Sequence, residues 1–122
     1  MKIQMQGQRI RLRVDEAELA RLQAGEVVEN LTRLPGGIDC RQQLCVTEGP
    51  DALLVAVAAG WQFGLPRDLL QAYVARLPCR EGLRLHLPLP GGDDIEFGFE
   101  VDVRDSVRNR GVKSSGNQAR PL

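Results

Sequence analysis

The alternation around Gly7 constrains this chain more than any other feature. Residues 2–6 and 9–14 alternate polar with apolar side chains on either side of Gly7-Gln8, the period of a strand covered on one face. Glycine first in a two-residue loop marks a type II′ hairpin turn. The turn sets the register. Met5 faces Ile10 and Ile3 faces Leu12 on one side, while Gln6, Gln4 and Lys2 face Arg9, Arg11 and Arg13 on the other. One face is core and the other is strongly basic.

A helix follows directly. Asp15 is its N-cap, Glu18 completes a capping box three residues on, and Val14 and Leu19 are placed to close a hydrophobic staple. Leu19 and Leu22 form its buried stripe, and Gly25 ends it. A less regular strand is expected over 27–34, a turn at Pro35-Gly36-Gly37, and a clearer strand over 38–47. The run 52–59 is apolar at both parities, which predicts the most buried strand of the fold. Gly60, Trp61, Phe63 and Gly64 read as a connection to Pro66, the first position of a second helix with the stripe Leu69, Leu70, Tyr73, Val74 and Leu77. The last hairpin pairs 83–89 with 95–103, apolar at odd positions, with Glu96, Glu100, Asp102 and Arg104 outward.

These elements predict an α+β fold, ordered ββαβ then ββαββ, in which a mainly antiparallel, curved sheet of about seven strands packs two helices. No repeat is visible residue by residue. The chain of 122 residues suits one domain, expected over 1–104. Residues 105–122 hold Arg108, Arg110, Lys113 and Arg120 against Asp105 and lose the alternation, so a disordered basic tail is expected there.

Composition narrows the function classes. Hydrophobic residues at 43% and charged ones at 26% are the balance of a globular protein, and no apolar run is long enough to span a membrane. The start, Met1-Lys2-Ile3-Gln4-Met5, lacks the regions of a secretory signal, which points to the cytoplasm. Three cysteines without an export signal suggest reduced thiols. A net charge of zero argues against a nucleic-acid binder.

The opening Met1-Lys2-Ile3-Gln4-Met5-Gln6-Gly7-Gln8-Arg9-Ile10-Arg11-Leu12-Arg13-Val14 resembles a family of short bacterial proteins of unknown function. These begin with a Met-Lys-Ile-Arg-Ile hairpin, a glycine turn and an Ile-Arg-Leu-Arg-Leu strand. The likeness continues through Glu16 to Leu22 and Thr32-Arg33. Members commonly end in Leu-Val-Glu-Lys-Asp-Phe and a cysteine, where this chain has Phe99-Glu100-Val101-Asp102-Val103 and no cysteine nearby. The resemblance implies a shared fold and no particular activity.

The basic face carries the chemistry most worth following. Lys2 opposite Arg13, with Arg9 and Arg11 beside them, is a destabilising arrangement unless acids or an anionic ligand answer it. Glu96, Glu100 and Asp102 on the last strand are the natural partners, and the simplest register sets Arg84 opposite Glu100. If acids and arginines line a concave sheet instead, they suit a divalent cation and a phosphorylated ligand. This bears a loose likeness to tunnel folds that act on triphosphates, whose Glu-x-Glu-x-Lys signature is absent here. Cys40 and Cys45 differ in parity and face opposite ways, and His86, the single histidine, stands on the polar face, so no metal site is expected. No nucleophile motif or phosphate loop occurs, so no catalytic residue and no cofactor is assigned.

The expected function is a non-catalytic binding or assembly module. The basic hairpin face, Lys2, Arg9, Arg11 and Arg13, would meet a protein partner, a second copy or an anionic small molecule. The rival is a small phosphate-ligand enzyme using Arg11, Arg13, Glu96, Glu100 and Asp102.

Overall fold

A computed structural model describes residues 1–103; the tail expected over 105–122 lies outside them. β1 (Lys2–Gln6) and β2 (Arg9–Val14) pair in the expected register, from Lys2 opposite Arg13 to Gln6 opposite Arg9. Gly7 turns the hairpin at a φ of 55°, where glycine carries no Cβ penalty. α1 (Glu16–Gln23) begins at the expected cap. The Asp15 carboxylate accepts from the Glu18 N–H at 2.7 Å, and the Glu18 carboxylate accepts from the Asp15 N–H at 3.0 Å. Val14, Leu19 and Leu22 are buried.

The chain continues through β3 (Val28–Leu34), β4 (Ile38–Thr47), β5 (Leu53–Val57), β6 (Gly60–Pro66), α2 (Arg67–Val74), β7 (Leu83–Pro88) and β8 (Asp94–Val101). The strands form two four-stranded sheets, ordered β1-β2-β8-β7 and β3-β4-β6-β5. In each, two antiparallel hairpins meet through a parallel central pair, β2 with β8 or β4 with β6. The α+β class, the two helices and the mostly antiparallel pairing agree with the sequence reading. The single curved sheet does not, and neither does the element order, because 60–66 is a strand.

Glycine misled that reading. Gly60 and Gly64 lie inside β6, where a Cβ would come within 1.6 Å of the Arg41 carbonyl oxygen and 2.4 Å of Thr47 Cγ2. They permit close approach to β4 and turn nothing. Phe63, read as part of a connection, is completely buried. The apolar run before it is displaced outward: Ala58-Ala59 form the turn, with Ala59 at a φ of 66°, and β5 becomes an edge strand. Leu53, Leu54 and Val55 are 52%, 42% and 47% exposed, so β5 is an open strand where the most buried one was expected.

The structure reveals two equivalent halves, each ββαββ. Setting Asp15 on Pro66, the residues before the two helices, brings Leu12 onto Phe63, Val14 onto Leu65, Leu19 onto Leu70 and Leu22 onto Tyr73. Past the helices, Val28 corresponds to Leu83 and Leu44 to Phe99 by their places in the ladders. Each half contributes its first hairpin to one sheet and its second hairpin to the other. Neither sheet is complete without both.

The core lies between the sheets. Phe63 of β6 stacks on Phe97 of β8 with centroids 4.3 Å apart and planes within 5°, while Trp61 meets Phe97 edge-on at 5.7 Å. Tyr73 of α2 packs edge-on against Phe99 at 5.9 Å, and its hydroxyl oxygen accepts the Val101 N–H at 3.2 Å. That bond satisfies a buried backbone donor at the end of β8.

Candidate functional site

The basic row and the acidic strand do come together, on the outward face of the first sheet. β2 runs parallel to β8, setting Arg9 beside Glu96, Arg11 beside Gly98 and Arg13 beside Glu100. Glu100 is shared. Arg13 Nε donates to its Oε1 at 2.7 Å, and Arg11 Nη2 reaches the same oxygen at 3.1 Å. Arg11 Nη1 also donates to Gln4 Oε1 at 3.2 Å. Arg9 Nε lies 3.6 Å from Glu96 Oε2. Glu96 is approached from the other side by His86 Nε2 at 3.8 Å, while His86 Nδ1 faces Asp94 at 3.2 Å.

Three arginines and two glutamates therefore pair across a half-exposed sheet with one positive charge left over, and each pair contributes about 0–1 kcal/mol there. Lys2 stands opposite Arg13 with no ion pair among the described residues. Asp102, just past β8, donates its N–H to the Val14 carbonyl at 2.8 Å and has a further interaction besides.

Arg84 is placed differently from expectation. β7 pairs with β8 so that Arg84 faces Gly98 and His86 faces Glu96. Glu100, the acid expected opposite Arg84, belongs to Arg11 and Arg13 instead. Among the described residues Arg84 has no acidic partner, and neither does Arg80 in the segment between α2 and β7. Both line an open groove of about 390 Å³ that crosses β8 at Gly98 and also touches Gln4, Gln6, Arg9 and Arg11. A smaller hollow of about 280 Å³ adjoins it between Lys2, Arg11, Arg13 and Glu100.

Sequence parity located Arg84 on this face, but nothing in the sequence signalled Arg80 or the bare floor at Gly98. The cysteines do not converge. Cys40 and Cys45 face opposite ways, Cys79 Sγ donates to the Glu81 carbonyl at 3.1 Å, and burial pushes the Cys45 thiol above the usual range. Among the described residues no three His, Cys, Asp or Glu side chains gather as a metal site, and no helix is long and apolar enough to cross a membrane. Comparison of the chain with protein-family models, curated proteins and solved structures yields no match.

Proposed function

We propose that this chain is a non-catalytic assembly module of the cytoplasm that pairs through the open edge of β5, in the first place with a second copy of itself. The observation that carries this reading is the strand Leu53-Leu54-Val55-Ala56-Val57, which is uncharged, free of proline and exposed along a sheet edge. An unpaired edge presents a row of backbone donors and acceptors to any incoming strand. The other three edges are blunted in ways that discourage pairing: β1 carries Lys2, β3 carries Glu29 and Arg33, and β7 carries Arg84, His86 and Pro88.

The strand is also self-complementary. A two-fold axis through Val55 sets it opposite its own copy, with Leu53 against Val57 and Leu54 against Ala56, so an antiparallel β5–β5 ladder covers apolar side chains on both faces. The engagement of Glu100 by Arg11 and Arg13, and of Glu96 by Arg9, favours assembly over the phosphate-ligand enzyme, which needs those groups for substrate. Likeness of the first hairpin to the short bacterial family belongs to this proposal as a shared fold only.

Sedimentation velocity on the full chain tests it with Val55→Lys. Wild type is expected to dimerise with concentration, and the variant, whose two lysines would face each other across the axis, to stay monomeric at an unchanged melting temperature. A wild type that remains monomeric at its highest soluble concentration, or a dimer untouched by the lysine, refutes the reading.

A further inference from the structure

We propose that the groove over Gly98 binds a small phosphate-bearing ligand with two or more negative charges. Its floor is the first observation. Glycine inside a strand is less favourable than alanine and persists where something approaches the backbone closely. At Gly60, Gly64 and Gly82 the chain itself makes that approach, with atoms 1.6, 2.4 and 2.5 Å from the place of a Cβ. Gly98 differs. Its backbone is not left-handed, and a Cβ there would meet Arg11 Cγ at 3.6 Å and the Leu83 carbonyl oxygen at 3.8 Å, both ordinary contacts. Packing does not demand glycine at this position, and the space above it is the groove.

Cations flank that space. Arg11 and Arg84 are the cross-strand neighbours of Gly98 on either side, with backbones about 10 Å apart, twice the strand spacing. Arg80 lines it as well. Arg11 is partly committed to Glu100 and Gln4, whereas the side chains of Arg80 and Arg84 make no hydrogen bond or ion pair among the described residues. Glu81 is the third carboxylate of the lining after Glu96 and Glu100, and with four arginines around the groove the balance remains positive. Guanidinium forks match phosphate oxygens, and two forks on separate strands match a ligand with two anionic groups. The groove volume of about 390 Å³ suits a small molecule. This site is in the sheet that lacks β5, so it stands or falls apart from pairing through that edge.

Titration calorimetry of the full chain with inorganic pyrophosphate tests the proposal. Saturable binding of one pyrophosphate per chain is expected. Arg80→Ala and Arg84→Ala should each weaken it about tenfold or more, since charge-assisted hydrogen bonds are lost. Arg33→Ala, at an exposed arginine of the other sheet, should leave it unchanged. Gly98→Val should abolish binding while melting at the wild-type temperature or above. Absence of saturable binding, equal loss in Arg33→Ala, or full binding by a folded Gly98→Val would overturn the site. Citrate binding as tightly as pyrophosphate would overturn the phosphate assignment.

Discussion

Truncating Phe63 to alanine tests whether 60–66 is the strand that closes the core or a surface connection. The ring is fully buried and stacked on Phe97 at 4.3 Å. Removing a buried phenylalanine costs about 3–5 kcal/mol through lost transfer energy and the cavity left behind. A domain of this size holds roughly 5–15 kcal/mol in all, so the loss is a large share of the total. Urea unfolding followed by far-ultraviolet circular dichroism reads it directly. With a slope of about 1–3 kcal/mol per molar, the midpoint should fall by about 1 M or more. Phe97→Ala should cost a similar amount, and the double variant should cost less than the two together by about 0.5–1.5 kcal/mol, the coupling expected of a stacked pair. A Phe63→Ala cost below about 0.5 kcal/mol, the range of surface substitutions, would refute the burial and the strand with it.

Further outcomes follow from the packing. Gly60→Ala should destabilise by at least about 2 kcal/mol, because its Cβ would lie 1.6 Å from backbone that cannot swing aside, whereas Gly98→Ala should be neutral or stabilising by up to about 1 kcal/mol in the same urea assay. Burial, the dominant cause, pushes the Tyr73 hydroxyl above the usual tyrosine range, so its contribution is complete below the unfolded pKa of about 10 and is lost as pH rises through the higher folded value. Tyr73→Phe should therefore lose about 1–3 kcal/mol at neutral pH by orphaning the Val101 N–H, and melting temperatures should show a shallower decline above pH 10 than in wild type.

Local chemistry was legible where one interaction decided the outcome. Gly7 and the alternation around it set the first register, and Asp15 with Glu18 set the helix start; both depend on residues a few positions apart. The misreadings share a different origin. An apolar run such as 53–57 reports what a strand is made of without saying whether a neighbour lies on both sides, and β5 has one neighbour. Glycine in 60–66 serves contact with β4, a strand more than a dozen residues away, and looks in isolation like a turn. The last hairpin pairs two residues away from its simplest register, so Arg84 faces Gly98, while β2 on the other side of β8 brings Arg11 and Arg13 to Glu100. Each error lies in a long-range pairing.

The two-fold plan separates what holds the fold from what distinguishes its faces. Equivalent core positions keep apolar character, with an aromatic ring in place of leucine at the counterparts of Leu12, Leu22 and Leu44. Equivalent outward positions share nothing. Lys2, Gln4 and Gln6 of β1 correspond to Leu53, Val55 and Val57 of β5, and Arg9, Arg11 and Arg13 of β2 to Gly60, Gln62 and Gly64 of β6. Glu96, Gly98 and Glu100 of β8 correspond to Arg41, Gln43 and Cys45 of β4. The same backbone therefore presents a charged, grooved face at one sheet and an uncharged edge at the other. Two equal sheets would bury the same core with the same outward residues on both sides, so stability alone gives no reason for the difference. A protein that pairs through one sheet and holds an anion on the other needs the two faces to be unlike, because charge on β5 would block the ladder and apolar residues on β2 would remove the ligand's partners.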